Sequence, residues 1–290
     1  MKTDIEKFCV EEGKKVKLKK EPTRVKPLYV DKDDYKKQKE KHLHKFNELQ
    51  ELFYAYNKYA LLIIFQGMDA SGKDGAITHV MSGVNPEGCQ TFNFKQPSTE
   101  DLDHDFFWRV YKCLPERGRI GIFNRSYYED VLVVKVHPEI LKKQQLPPEL
   151  LDKNEVWKNR YKSIVDIEKH LYNNGTRIIK FFLHISEDKQ KKRFLERIDE
   201  PDKNWKFSAA DFKEREYWND YMKVYEECIN NTNTQRAPWY IIPADDKENA
   251  RLIISQVINS VLKKLKMSYP AVDDEKKKEL LAIRDSLTNK

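Results

Sequence analysis

Two common metal-binding and cross-linking frameworks are missing from this sequence. The seven histidines contain no His-Glu-x-x-His motif, and His42 and His44 lie two residues apart, on different sides of a helix. The four cysteines are far apart and form no Cys-x-x-Cys pair: they are Cys9, Cys89, Cys113 and Cys228. Neither a zinc knuckle, a disulfide framework nor a histidine-built metal site is therefore indicated.

A long apolar segment is also missing. No run approaches the roughly 20 apolar residues that cross a bilayer. Residues 1–20 are lysine-rich and have no apolar centre, so they do not form a secretory signal. We expect a soluble, cytoplasmic protein without a membrane partner.

The charge balance is only mildly basic, with 54 Lys and Arg against 47 Asp and Glu and a net charge of +7. This excess favours anionic ligands without requiring nucleic acid. A chain of 290 residues predicts one large domain with appended segments. We assign a basic arm to residues 1–30, a main domain to 31–268 and a charged tail to 269–290.

Hydrophobic patterning alternates between short apolar runs and helical spacing. The apolar runs predict strands at 61–65, 89–94, 119–124, 178–185 and 239–242. Helical spacing predicts helices at 31–59, after residue 72, from Ser98 through Tyr111, at 155–172, from Ser186, at 211–229 and at 249–265. Strands separated by helices indicate an α/β fold with a parallel sheet covered on both faces.

The first strand leads into a glycine-rich turn at residues 67–75, GMDASGKDG, and then into a helix. This order and the Gly-x4-Gly-Lys spacing are typical of a phosphate-binding loop. Gly67 and Gly72 let the backbone bend so that its N–H groups face phosphate oxygens, while Lys73 and the helix N-terminus add positive charge. The alternative, a chance glycine-rich turn, does not explain both flanking elements.

Two carboxylates make this loop unusual. Asp74 stands where most such loops carry a Ser or Thr that ligates magnesium, and Asp69 would repel phosphate unless a cation lay between them. We interpret Asp69 and Glu129 as metal ligands, with Asp74 capping the helix, orienting Lys73 or joining the metal shell. The alternative for Asp69 is a side chain that only stabilises the turn.

Other polar groups follow later strands, and ligands of parallel sheets collect at the strands' carboxyl ends. Asn124, Arg125 and Glu129 follow the third strand, where a nucleotide enzyme carries its metal-organising acidic residue. Arg193 and Arg197 share one face of the helix after the fourth strand. That face is either exposed to solvent or part of a path that binds phosphate. The polar loop at 199–210 contains Trp205 and is either a simple connection or part of a lid that spans about 190–215.

Three segments together resemble the polyphosphate kinase 2 family: GMDASGKDG at 67–75, GIFNRSYYED at 121–130, and Arg197-Ile-Asp with Asn204-Trp-Lys-Phe-Ser208. The resemblance runs from about Val25 to Leu265. It implies a three-layer, thymidylate-kinase-like P-loop kinase fold with a helical lid, and homodimers or homotetramers. It also implies reversible phosphate transfer between polyphosphate and nucleotides with Mg²⁺, for which Mn²⁺ can substitute.

The resemblance also implies roles for individual residues. Asp69 and Lys73 position metal and phosphate, Arg125 binds phosphate, and the basic lid residues guide the polymer. The expected catalytic set adds Asn124 and Glu129. The expected phosphate- and nucleotide-binding set is Gly67, Ala70, Ser71, Gly72, Asp74, Gly75, Ser126, Tyr128, Arg193, Arg197, Lys203 and Lys206.

One position departs from many relatives, in which Asp stands where this chain has Asn124. An amide can ligate metal but supplies no charge and cannot act as a base. With Tyr128 and Glu129, this resembles the branch that accepts nucleoside mono- and diphosphates. We therefore expect AMP and ADP, with GMP and GDP as further candidates, to receive phosphate from polyphosphate.

Two other readings compete with this one. An ATP-dependent nucleoside or nucleoside-monophosphate kinase of the same fold is disfavoured by Asp74, which removes the usual hydroxyl ligand. A non-catalytic protein that binds nucleic acid through basic ends would bind with steep salt dependence and without nucleotide. We expect no nucleic acid partner.

Overall fold

Five parallel strands form one sheet in the order β2-β3-β1-β4-β5. The computed structural model describes residues 5–152 and 155–288. The strands are β1 Ala60–Gln66, β2 Cys89–Asn93, β3 Ile120–Asn124, β4 Thr176–His184 and β5 Trp239–Pro243. The five predicted strands and their parallel pairing are confirmed.

Helices connect the strands and cover the sheet. Those in the described part of the chain are α1 Lys32–Tyr56, α2 Lys73–Val80, α3 Thr99–Asp103, α4 Trp108–Tyr111, α5 Val133–Val136, α6 Pro138–Lys143, α7 Glu155–Asn173, α8 Glu187–Asp199, α9 Ala209–Glu214, α10 Trp218–Thr232, α11 Lys247–Lys264 and α12 Asp274–Thr288. No helix among these residues is both long and apolar enough to cross a membrane.

The core has two halves because side chains of the central strand alternate between the two sheet faces. Leu61 and Ile63 of β1 pack into the half formed with α1, α2 and α11. Leu62 and Ile64 pack into the half formed with α7 and α10. Every residue of β1 is buried. The predicted three-layer α/β arrangement is confirmed.

The prediction of one continuous helix from Ser98 through Tyr111 is wrong, because this segment forms two short helices. Ser98 does cap a helix, but α3 ends at Asp103 and α4 starts at Trp108. His104 has an extended backbone, and the Asp105 carboxylate accepts a hydrogen bond from the Phe107 N–H at 2.9 Å. This side chain competes with the helical hydrogen bonds and separates the two short helices.

The helix predicted at 211–229 is likewise interrupted. The 3₁₀ helix Arg215–Tyr217 separates α9 from α10. The segment predicted as a polar loop contains a further 3₁₀ helix, Pro201–Lys206. In the charged tail, α12 is exposed along its described length.

Residues 5–28 lie along the domain next to β5. The Val10 N–H donates to the Trp239 carbonyl at 2.9 Å, and Leu18 is buried. Further along, the Thr23 hydroxyl donates to the Asp245 carboxylate at 2.9 Å. Asp245 thus fixes this segment beside the start of α8, because its second oxygen accepts from the Ser186 N–H at 2.8 Å.

Candidate active site

A cleft of about 730 Å³ opens at the carboxyl ends of β1, β2 and β3. The register pairs Phe65 of β1 with Asn124 of β3, so the loop after β1 and the segment after β3 begin at the same level. Residues of α8 and of the 3₁₀ helix Pro201–Lys206 form the opposite side. The cleft therefore lies where parallel α/β sheets bind ligands.

The phosphate-binding loop has three residues in the left-handed region: Gly67 at φ 149°, Ala70 at 58° and Gly72 at 99°. A Cβ atom on Gly67 would lie 2.8 Å from Oγ of Ser71 and 2.9 Å from the Leu183 carbonyl oxygen. Only glycine can therefore occupy this position without displacing its neighbours. The loop leads directly into α2, which starts at Lys73.

Lys73 is buried at the bottom of the loop. Its Nζ donates to the carbonyl oxygens of Gly67 at 2.6 Å and Met68 at 3.1 Å. An ammonium has three donors, so the third can donate to a phosphate oxygen. Burial, with a smaller effect of the nearby Arg125 charge, lowers the pKa of Lys73 to about 8, although Asp69 opposes this shift.

The low pKa of Lys73 predicts a pH dependence of phosphate use. Below a pKa of about 8 the side chain is charged, and above it the neutral amine loses its attraction for phosphate. We expect kcat/KM for the phosphate-bearing substrate to be level below that pH and to fall by up to about tenfold per unit above it. Steady-state kinetics at constant ionic strength measure this profile.

The matched variant is Lys73→Arg, because a guanidinium stays charged across this range. Its absolute rate will be lower, but its profile should lack the fall near pH 8. A Lys73→Arg enzyme with the same alkaline fall would assign that titration to another group.

Arg125 connects the two predicted metal ligands. Its Nη2 lies 2.6 Å from Oδ1 of Asp69, and its Nη1 lies 3.3 Å from Oε2 of Glu129. Arg125 has a left-handed backbone at φ 62°, and its N–H donates to the Phe65 carbonyl at 3.0 Å. The segment after β3 is thus joined to β1 by a main-chain bond and to the loop after β1 by an ion pair.

Asn124 and Asp74 form a second link, between the end of β3 and the start of α2. Nδ2 of Asn124 donates to Oδ1 of Asp74 at 2.6 Å. A carboxylate at position 124 would face the Asp74 carboxylate and repel it unless a proton or a cation lay between them. The amide therefore donates to Asp74 at a point where a second carboxylate would repel it.

The oxygen donors at this end of the cleft fit a divalent cation. Within residues 5–152 and 155–288, Oδ1 of Asn124 and Oγ of Ser71 are buried without a hydrogen-bond partner. Asp69 and Glu129 add carboxylates, and hard cations prefer such oxygens. The described residues contain no cluster of three or more histidine, cysteine, aspartate or glutamate side chains that could hold a metal ion, so substrate phosphates and water would complete the shell.

A 3₁₀ helix at Tyr127–Asp130 carries Glu129, and buried bonds hold it on both sides. The Tyr128 hydroxyl donates to Glu168 at 2.8 Å, and Nη1 of Arg160 donates to the Asp130 carbonyl at 2.8 Å. Burial raises the pKa of the Asp130 carboxyl to about 6, against the lowering effect of Arg160. Glu129 is thus presented from a rigid base.

Direct phosphate contact by Ser126 and Tyr128 is not supported by their placement. Both are fully buried. Oγ of Ser126 caps the 3₁₀ helix by accepting from the Tyr128 N–H at 3.2 Å, and the Tyr128 side chain points into the core. Tyr127 and Tyr128 pack in the hydrophobic core although their neighbours in the sequence are polar. This packing explains why Tyr128 does not face the cleft as expected.

Arg193 was expected to bind phosphate, but its guanidinium bonds main-chain carbonyls. Nη1 donates to Ala70 and Ser71, each at 2.8 Å, and Nη2 donates to Ala244 at 2.7 Å. Arg193 lines the cleft, so its positive charge can still attract an anionic ligand there. Its hydrogen bonds, however, stabilise the phosphate-binding loop.

The remaining expected residues line the cleft in part. Arg197 and Lys203 do so from the far side, where Lys203 is paired with Glu200 and the Arg197 guanidinium packs over the Phe194 ring. Gly75 also lines the cleft, and a Cβ there would lie 3.1 Å from Arg251. The Lys206 side chain lies outside the described part of the structure.

Two features, one beside the cleft and one in its wall, were missed from the sequence. Its wall includes 93–96, the end of β2, which the rule on strand ends could have revealed. The other is Gln190 of α8, whose Nε2 donates to the Asp69 carbonyl at 3.0 Å. A lone glutamine in a charged helix gives no sequence signal of such a contact.

Comparison with known proteins gives consistent matches. A model of the family described as polyphosphate kinase 2 matches residues 29–270. The ADP-polyphosphate phosphotransferase of Rhodopseudomonas palustris is 56% identical over 287 residues, covering 99% of each chain. The AMP/ADP-polyphosphate phosphotransferase of Meiothermus ruber is 42% identical over 226 residues, covering 78% of this chain and 80% of that protein.

A solved structure agrees with this assignment. The crystal structure of polyphosphate kinase 2 from Arthrobacter aurescens superposes with a TM-score of 0.85 at 36% identity, covering 96% of this chain and 95% of that one. The fold is thus shared over nearly the whole length of both chains. The chain belongs to the polyphosphate kinase 2 family.

Proposed function

We propose that this protein transfers the terminal phosphate of inorganic polyphosphate to ADP and AMP, reversibly, forming nucleoside tri- and diphosphates. The observation that carries the proposal is one cleft with cations on opposite sides. Lys73 and Arg125 lie on the loop side, and Arg197 and Lys203 on the side of α8 and the lid. Such a cleft suits a polymer that carries negative charge along its length.

The choice of acceptor rests on the relatives. One is named for ADP and the other for AMP and ADP. The Asn124–Asp74 bond leaves the carboxylate of Asp74 close to the cleft without a second one at 124. We propose that ADP and AMP are both accepted, with GDP and GMP as further candidates.

A divalent cation, for which we propose Mg²⁺ or Mn²⁺, would be held by Asp69 and Glu129, with the free amide oxygen of Asn124 available. When bound, the cation supplies neutralisation of phosphate charge. Arg125 already lies between both carboxylates, so its guanidinium and the cation would share them. Two positive groups would then be available to the substrate phosphates.

The proposed transfer is a single displacement. A terminal phosphate oxygen of the nucleotide forms a bond to the end phosphorus of the polymer. The bond from that phosphorus to the bridging oxygen breaks, and the shortened polymer keeps the electron pair. Lys73 and Arg125 hold the transferring phosphate and offset its charge, which is most of what a loose transition state requires.

The test is a transfer assay with purified protein, Mg²⁺ and long-chain polyphosphate, with AMP or ADP as acceptor. We expect ATP from ADP, and ADP followed by ATP from AMP, while gel electrophoresis shows the polymer shortening. The control contains ATP and AMP without polyphosphate.

Each outcome of the assay decides something different. Product from ADP but not AMP would retain polyphosphate as the donor and overturn AMP as an acceptor. Turnover in the control alone would replace the proposal with an ATP-dependent nucleotide kinase. Omitting the metal should abolish product in every arm.

A further inference from the structure

Gln190 bonds the phosphate-binding loop with one end of its amide and Arg215, at the end of the lid, with the other. Its side chain is 1% exposed. Nε2 donates to the Asp69 carbonyl at 3.0 Å, and Oε1 accepts from Nη1 of Arg215 at 3.2 Å. Both the donor and the acceptor of this buried amide are therefore used, in opposite directions.

Arg215 lies directly after α9, where the chain leaves the lid. Besides Gln190, its guanidinium donates to the Glu187 carbonyl at 3.1 Å and to the Glu187 carboxylate at 3.0 Å. The preceding residue, Glu214, accepts from the Tyr221 hydroxyl at 2.7 Å and lies 2.8 Å from Nε2 of His137. The end of the lid is thus bonded to α8 and α10, and Arg215 is the residue there that reaches Gln190.

On the loop side, α8 donates to three successive carbonyls. Gln190 bonds Asp69, and Arg193, three residues further along the helix, bonds Ala70 and Ser71. Ala70 has a left-handed backbone at φ 58°, a conformation that surrounding bonds must hold. The bond to the Asp69 carbonyl fixes the peptide plane next to the Asp69 side chain, and hence the direction of its carboxylate towards Arg125.

We propose that Gln190 is a positioning residue that couples the lid to the direction of the Asp69 carboxylate. The inference rests on the proposed function. When the lid moves on binding polyphosphate, Arg215 shifts the Gln190 amide, and the amide shifts the Asp69 peptide. An amide is suited to this because it donates and accepts at once, whereas a carboxylate lacks the donor and a methionine lacks both.

The test is a double-mutant cycle with Gln190→Met, Arg215→Met and the combined variant. We expect each single variant to lower kcat about tenfold while KM for polyphosphate changes by less than about twofold. The combined variant should be no slower than either single one, because both interrupt one path. A residue that only supported the fold would instead raise KM and lower the melting temperature.

Three controls keep the result clear. Glu187→Gln changes the other partner of Arg215 without touching the loop and should keep kcat within about twofold. Gln190→Glu, nearly the same size, should behave like Gln190→Met because it lacks the donor. Protection of the lid from proteolysis by polyphosphate, a readout independent of turnover, should persist in all variants.

The proposal is overturned if the two single effects multiply in the combined variant, or if Arg215→Met leaves kcat unchanged. The second criterion stands even if the Gln190 variants do not fold, since Arg215 lies outside the loop. A wild-type enzyme that makes no product from polyphosphate would instead refute the proposed function. The two failures are therefore distinct.

Discussion

Asp69→Asn is expected to lower kcat by about 100- to 1,000-fold with little change in stability. The substitution keeps the size of the side chain but removes the charge that faces Arg125 at 2.6 Å and serves the proposed cation site. Gln190 bonds the main-chain carbonyl of Asp69, so the loop should keep its shape. Steady-state kinetics with saturating polyphosphate and ADP, together with thermal unfolding, measure both effects.

The matched control is Asp188→Asn, an equally conservative change on the exposed surface of α8. It should leave kcat within about twofold of wild type. If Asp69→Asn retained more than about a tenth of the wild-type kcat, the carboxylate would have no place in the transfer and the metal proposal would lose its main ligand.

Lys180→Met is expected to lower the free energy of unfolding by about 3–5 kcal/mol. Lys180 and Glu168 form an ion pair at 2.8 Å in which both side chains are almost completely buried. The ammonium also donates to the Tyr128 hydroxyl and the Thr232 carbonyl, and the carboxylate accepts from Tyr127 and Tyr128. Removing the ammonium leaves a buried negative charge without its counter-ion. Urea denaturation measures the loss.

Two further variants distinguish the effect of burying the Lys180–Glu168 pair from the effect of its charge. Lys158→Met breaks an exposed pair with Glu155 on α7 and should lower the free energy of unfolding far less than Lys180→Met does, because water screens the pair. Adding Glu168→Gln to Lys180→Met should restore part of the lost stability, because the amide still accepts from the tyrosines and carries no charge. A double variant less stable than Lys180→Met by the full cost of the second change would show that the pair is not coupled.

The strands and the loop could be predicted because their signals are local. Five apolar runs bounded by polar or glycine-containing turns gave the sheet, and the Gly67–Gly75 spacing located the loop within it. Asp105 shows where this reasoning fails, since only the structure reveals that its carboxylate bonds the Phe107 N–H and separates α3 from α4. An aspartate at a position with a different backbone conformation would have pointed to solvent and left the helix intact.

Side-chain direction was the larger gap at the site. Motif and resemblance placed Arg193 near phosphate, but its donors reach three carbonyls, which a one-dimensional pattern cannot indicate. Tyr128 follows a motif of polar residues, yet its ring is in the core because Glu168 and Lys180, distant in sequence, provide buried partners. Roles that depend on long-range partners need the fold.

The segment at residues 5–28 runs along the outer edge of the sheet and limits how another chain can pair with that edge. β5 is the last strand in the sheet order, and such a strand offers unpaired main-chain groups on its outer side. Val10 donates to Trp239 at its start, and the Thr23 carbonyl accepts from the Asp245 N–H just past its end. Pro243 brings no N–H to the outer side. The segment therefore covers the outer edge of β5 and blocks pairing with the edge strand of another chain. Association through strand addition at β5 would first have to displace it.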